Sequence, residues 1–192
     1  MTKKETKTSK ADPFIYQIKV TLEGSKPPVW RRVQVPMDIS LRKLHKILQA
    51  VMGWETCHLH EFVVGREHFG EPGPEYGFEM KDDKKIRLHQ AAPRNGDRFA
   101  YVYDFGDGWR HELKVEKIAL PEPCAPYPIL FGGERACPPE DCGGIGGYAG
   151  FLEAIQNADH EEHDRMLEWI GGSFDPESFD ADEVNQRLKR IK

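Results

Sequence analysis

From Phe99 to Val115 large side chains recur at every second position. Phe99, Tyr101, Tyr103 and Phe105 come first, then Gly106-Asp107-Gly108, then Trp109, His111, Leu113 and Val115. A period of two belongs to a strand, whose side chains alternate between faces. Two such runs around a Gly-Asp-Gly break predict a hairpin. A two-residue Asp107-Gly108 turn would set Asp104 opposite His111 and the aromatic face against Arg110, Glu112 and Lys114. A three-residue loop with Gly108 left-handed sets Phe105 opposite Trp109, Tyr103 opposite His111 and Asp104 opposite Arg110. Only the second keeps the apolar set on one face, and a one-residue slip turns all of it outward. The three-residue loop is therefore the expectation.

The rest of the chain builds around this hairpin. Phe14 to Glu23 alternates as a half-buried strand. Val29 to Val35 is a second strand, with Val29, Arg31, Val33 and Val35 on one face and Trp30, Arg32 and Gln34 on the other. Ser40 caps a helix whose Leu41, Leu44, Ile47, Leu48 and Val51 share a side, and Gly53 closes it. Leu59 to Gly65 is a third strand, with His58, His60, Phe62 and Val64 on one face. The segment 66–83 is a long loop with room for a short strand at Tyr76 to Met80. Lys85 to Leu88 is a short strand, and Asn95-Gly96 marks a turn. Six prolines make Pro121 to Pro139 a wrapped, irregular loop. Helices follow from Tyr148, over about His160 to Ile170, and over about Ala181 to Ile191. The expected class is α+β: a mostly antiparallel sheet with a β-grasp-like ββαβ N-terminal unit, the central β-hairpin and a C-terminal helical cap. A chain of 192 residues with 39% hydrophobic content suits one domain over residues 13–192, after a disordered tail over residues 1–12.

A formal net charge of −5 removes any global basic character. No apolar run approaches the roughly 20 residues that span a bilayer. The Lys- and Thr-rich start lacks an apolar signal core, so a cytoplasmic location is expected. Charge is nevertheless uneven. Arg31, Arg32, Arg42, Lys43 and Lys46 form a basic run that could face a protein or nucleic-acid partner, although a solvated face is the ordinary explanation. Residues 151–183 hold eleven acidic residues against one Arg.

Four cysteines without an export signal suggest reduced thiols or a metal. Cys137 and Cys142, with Cys124 and His111, would make a Cys₃His zinc set if the Pro-rich loop folds back on the hairpin. The alternative is a tight turn holding small buried thiols. Asp104 interrupts an apolar strand end and His111 lies on the aromatic face, so the two are candidates for acid–base chemistry. Their ordinary readings are an Asp104–Arg110 ion pair and a packed core histidine. Asp104, Glu140 or Asp141 would stand at the edge of such a cleft. His58 and His60, two apart on one strand face, have a usable metal geometry, although a histidine pair at a surface rim is the ordinary reading. Gly143 to Gly147 precedes a helix N-terminus, where an anion could bind.

Several stretches together resemble the plasmid pRiA4b ORF-3-like family. They are Tyr103-Asp-Phe-Gly-Asp-Gly-Trp-Arg-His111, Cys137-Pro-Pro-Glu-Asp-Cys-Gly-Gly144 with Gly147-Tyr148, and Phe174-Asp-Pro-Glu-Ser-Phe-Asp180 leading to Asn185. Tyr16 to Leu22, Trp30-Arg-Arg and His58-Leu-His-Glu-Phe62 fit the same pattern, so the resemblance runs over about residues 14–191. It implies the MM3350-like fold and an association with mobile elements, and it brings no established activity or catalytic residues. The leading expectation is a non-catalytic protein- or nucleic-acid-binding module. The alternative is a metal-dependent or acid–base enzyme centred on Asp104, His111, Cys137 and Cys142.

Overall fold

The computed structural model describes residues 14–73 and 79–191. The expected tail over residues 1–12 lies outside these, as does most of the short strand expected at Tyr76 to Met80.

β1 (Ile15–Leu22) and β2 (Trp30–Pro36) open the chain as a hairpin. α1 (Leu41–Met52) follows. Ser40 Oγ accepts the Lys43 N–H at its start, and Gly53 turns left-handed at its end. Both stops were written in the sequence. Then come β3 (His60–Val64), β4 (Glu67–Gly70), β5 (Met80–Asp82), the short α2 (Leu88–Ala91), β6 (Arg98–Tyr103), β7 (Trp109–Ala119) and β8 (Ile129–Glu134). α3 (Gly144–Gln156), α4 (His163–Ile170) and α5 (Ala181–Leu188) end it.

The strands form one sheet in the order β5-β4-β3-β6-β7-β1-β2-β8, antiparallel at every pairing but β4–β5. A self-contained ββαβ unit is not confirmed, because β6 and β7 stand between β1 and β3. The long β7 supplies the inward face that β1 needs, with Leu113 opposite Val20 and Val115 opposite Ile18. Two further expectations are corrected. Lys85 to Leu88 is a turn with a single bridge from Arg87 to Ser40, and α2 starts at Leu88. The Pro-rich segment contains β8, because no proline falls between Pro128 and Pro138. β8 lies at the sheet edge beside β2, where neighbouring prolines interrupt no ladder.

Ile18, Val20, Val33, Val35, Phe62 and Leu113 face inward and are almost completely buried against Leu44, Ile47, Leu48 and Val51 of α1. The opposite face carries polar side chains. Arg32 grips Glu116 with two hydrogen bonds, and Gln17 donates to the same carboxylate. A sheet covered on one side only explains the clean alternation along its strands.

The central hairpin differs from the expected register by two residues. Tyr103 pairs with Trp109, Val102 with Arg110 and Tyr101 with His111, leaving residues 104–108 as the loop. An even shift preserves the shared face, so Phe99, Tyr101, Tyr103, Trp109, His111, Leu113 and Val115 all stay buried. Phe105 leaves the strand and is 42% exposed. Asp104 causes this. It turns left-handed at φ 54°, donates its N–H to Leu59 O, and accepts Gly106 N–H on Oδ1. Arg110 therefore lies away from Asp104 and pairs with Glu23. Among the described residues, no helix is long and apolar enough to cross a membrane.

Candidate functional site

Three segments converge at the tip of the β6–β7 hairpin: the loop 104–108, the chain 54–58 after α1, and the turn 137–144. Trp54 stacks on Tyr103 with ring centroids 4.9 Å apart and donates its Nε1–H to Pro138 O at 3.0 Å. Tyr103 Oη donates to Glu140 Oε1 at 2.5 Å and accepts the backbone N–H groups of Cys57 and His58. Burial, reinforced by Glu140, pushes the Tyr103 hydroxyl above its ordinary range, so it remains a donor. Glu140 Oε2 accepts the Glu55 N–H. Asp107 Oδ2 accepts the Gly143 N–H, which fixes the turn to the hairpin.

These contacts bring two groups of potential ligands together. His58 Nε2 lies 3.2 Å from Asp141 Oδ1 and 3.7 Å from Asp104 Oδ2. Cys57, His58 and Glu140 form the second group, and within each group the ligand atoms lie within 4.8 Å of one another. Sequence reasoning marked Asp104, Glu140 and Asp141 but missed Cys57, Tyr103 and the position of His58. His58 precedes β3 and faces the hairpin tip. His60 is not its rim partner. It is 6% exposed and stacks on His45 with centroids 3.5 Å apart, because the inward face of β3 begins at His60. There His60 Nε2 lies 2.9 Å from Asp83, which also receives Arg42, and His45 Nδ1 lies 2.8 Å from Tyr101 Oη.

The expected zinc set is not assembled. Among the described residues, neither group of potential ligands contains His111, Cys124, Cys137 or Cys142. All four cysteines are free. Burial pushes the Cys137 thiol far up and the Cys142 thiol up to about 12. Cys124 is exposed in the Pro-rich segment. His111 is fully buried between Trp54 and Tyr101, and neither ring nitrogen has a hydrogen-bond partner. Burial holds it down to about 4. The carbonyls of Tyr101 and Trp109 oppose that effect from nearby without reaching hydrogen-bond geometry.

Three of the five expected partner-facing cations are engaged inside the fold. Arg31 is 3% exposed and donates to the carbonyls of Trp30, Val51, Glu134 and Arg135. Arg32 is paired with Glu116, and Arg42 with Asp83 and Glu71. Lys43 is half-buried and Lys46 exposed.

A cleft of about 500 Å³ opens behind Glu140, between the end of α1, the turn 137–140 and the segment 173–187. Its lining carries five carboxylates, on Glu55, Glu140, Asp175, Asp180 and Glu183. The lining arginines are Arg31, spent on carbonyls, and Arg187, paired with Glu183. A second cavity of about 430 Å³ lies on the other side of the turn, between Asp141, Cys142 and Trp169.

Comparison with known proteins shows similarity in sequence and in structure. A family model described as plasmid pRiA4b ORF-3-like protein matches residues 14–183. The uncharacterized protein y4hQ of Sinorhizobium fredii (strain NBRC 101917 / NGR234) is 41% identical over 176 residues, covering 91% of this chain and 90% of that protein. The crystal structure of MM3350 from Methanosarcina mazei Go1, a protein of unknown function, superposes with a TM-score of 0.83 at 38% identity. That match covers 90% of this chain and 97% of MM3350.

Proposed function

The chain belongs to the plasmid pRiA4b ORF-3-like family, and from that premise we propose that it is a non-catalytic binding module whose acidic cleft takes a positively charged protein segment. Neither relative's name states an activity, so the reading rests on geometry. One observation carries it: five carboxylates line the cleft against two arginines, and Arg187 with Glu183 forms an internal pair, which leaves four carboxylates against Arg31. A lining with this negative excess inside a concavity attracts Lys and Arg side chains and disfavours phosphate backbones. The nucleic-acid form of the same module has less support, since Arg31, Arg32 and Arg42 are engaged within the fold and leave Lys43 and Lys46.

Titration calorimetry with an Arg/Lys-rich peptide tests the reading. Binding is expected to weaken as salt rises. Replacing the exposed carboxylates in Glu55→Gln/Asp175→Asn is expected to weaken it by about tenfold, or about 1.4 kcal/mol. Equal affinity of this variant, or preference for an acidic peptide or an oligonucleotide, sinks the proposal.

A further inference from the structure

We propose a divalent transition-metal site formed by His58, Asp104 and Asp141, with Zn²⁺ as its ion. The proposal does not rest on the cleft reading. The three donors come from different segments, and the fold alone unites them. Two ligands bound to one zinc at about 2.0–2.2 Å, at tetrahedral angles, lie roughly 3.3–3.6 Å apart. His58 Nε2 stands 3.2 Å from Asp141 Oδ1 and 3.7 Å from Asp104 Oδ2, close to that spacing.

Asp104 gives the second observation. The residue is 9% exposed, and its Oδ1 is satisfied by the Gly106 N–H. Oδ2 faces His58 Nε2 at 3.7 Å, beyond hydrogen-bond reach, and that nitrogen lies nearer Asp141. The same geometry brings the Asp104 and Asp141 carboxylates to one imidazole, and the mutual repulsion of two carboxylates is relieved by a positive charge between them. A cation between the three side chains supplies that charge and satisfies all three donors together.

The donor set also selects the ion. One imidazole with two carboxylates suits zinc and its first-row neighbours, whereas Ca²⁺ and Mg²⁺ favour oxygen-only sites. Access is open, since the Asp141 side chain is 71% exposed and that of His58 30%. Water can therefore complete the coordination.

The test uses the full chain, free of affinity tag and stripped of metal. Competition for Zn²⁺ against a chromophoric chelator gives affinity and stoichiometry, and melting with and without Zn²⁺ gives the linked stabilisation. One Zn²⁺ per chain and a raised Tm are expected. His58→Gln and Asp104→Asn should each weaken binding at least as much as loss of an outer-shell partner does, roughly 10- to 100-fold. Asn tolerates the left-handed backbone at position 104 and can keep the Gly106 bond. Asp141→Asn alters an exposed side chain and decides the matter if either other variant fails to fold. No competition for Zn²⁺, or unchanged affinity in the variants that fold, overturns the site. Tighter binding of Mg²⁺ than Zn²⁺ overturns the ion class. Affinity lost only in Cys137→Ser/Cys142→Ser would move the metal to the thiols and overturn the proposal as well.

Discussion

Arg31 sits on the inward face of β2 between Val29 and Val33, with its guanidinium 4.4 Å from the Phe179 ring. Strand alternation already assigned it to that face, while the local run of basic residues assigned it to a partner surface. The alternation was right, because four carbonyls are there to receive the charge. One is Val51 O, in the last turn of α1, where carbonyls lack helical partners. The others are Trp30, Glu134 and Arg135, so the side chain ties β2 and α1 to the end of β8. Arg31→Met fits the volume but removes the donor to those carbonyls, and should cost about 1–3 kcal/mol in urea unfolding. Arg31→Lys should also destabilise, since an ammonium cannot reproduce the fork. A cost below about 1 kcal/mol would return Arg31 to the surface role. The candidate metal ligands were only partly legible at this scale. Asp104 was visible as a charge interrupting an apolar strand. His58 was visible only as a partner of His60, because it lies just before β3 and the alternation drawn through it grouped the two, whereas the fold sets it beside Asp104 and Asp141.

Among the elements, the turn 137–144 and the start of α3 depend on glycines whose neighbours leave no room. A Cβ on Gly144, where φ is +68°, would lie 2.3 Å from Asp107 O. One on Gly147 would lie 1.9 Å from Cys142 O. The sequence offered this Gly run as an anion site, but Asp107 already supplies a carboxylate to the Gly143 N–H. Gly144→Ala should therefore push the turn away from the hairpin tip, destabilise by about 1–3 kcal/mol, and weaken Zn²⁺ binding because Asp141 rides on the turn. Gly150→Ala is the matched control. Nothing lies within 4 Å of its Cβ, and alanine in a helix interior is favoured by about 1 kcal/mol. Chemical denaturation of the two variants should move in opposite directions, and equal midpoints would show that the close approach at Gly144 carries no constraint. The elements themselves were legible where a period was long. The hairpin face survived a register error because the error was even. β8 was missed because the proline count of a whole segment hid the proline-free stretch inside it.

At the scale of the whole molecule, the class was legible from alternation, but the strand order was not. Pairing β1 with β7 joins residues about a hundred positions apart, and local periodicity carries no record of such pairings. The same long-range assembly buries two histidines whose titration opposes folding. His45 is packed against His60, with Tyr101 from β6, Asp83 from the loop before α2, and Arg42 and Lys46 on its own helix around it. Burial and the neighbouring His60 hold it down to about 3. His111, facing Tyr101 and Arg31, is held down to about 4 by burial. Both are neutral in the folded protein at pH values where the unfolded chain, with an ordinary value near 6.5, takes up protons. The unfolded state thus binds more protons below about pH 6.5, so stability is full above that pH and falls as the pH drops through 6 and 5 toward 4. Protonation at His111 alone contributes on the order of 3 kcal/mol to that loss. Phe in its place fills the same aromatic surroundings and removes two buried nitrogens that have no partner. His111→Phe is expected to melt at or above the native Tm at pH 7 and to lose less stability between pH 6.5 and 4. A melting profile running parallel to that of the native protein across this range would show that His111 does not contribute to the acid sensitivity.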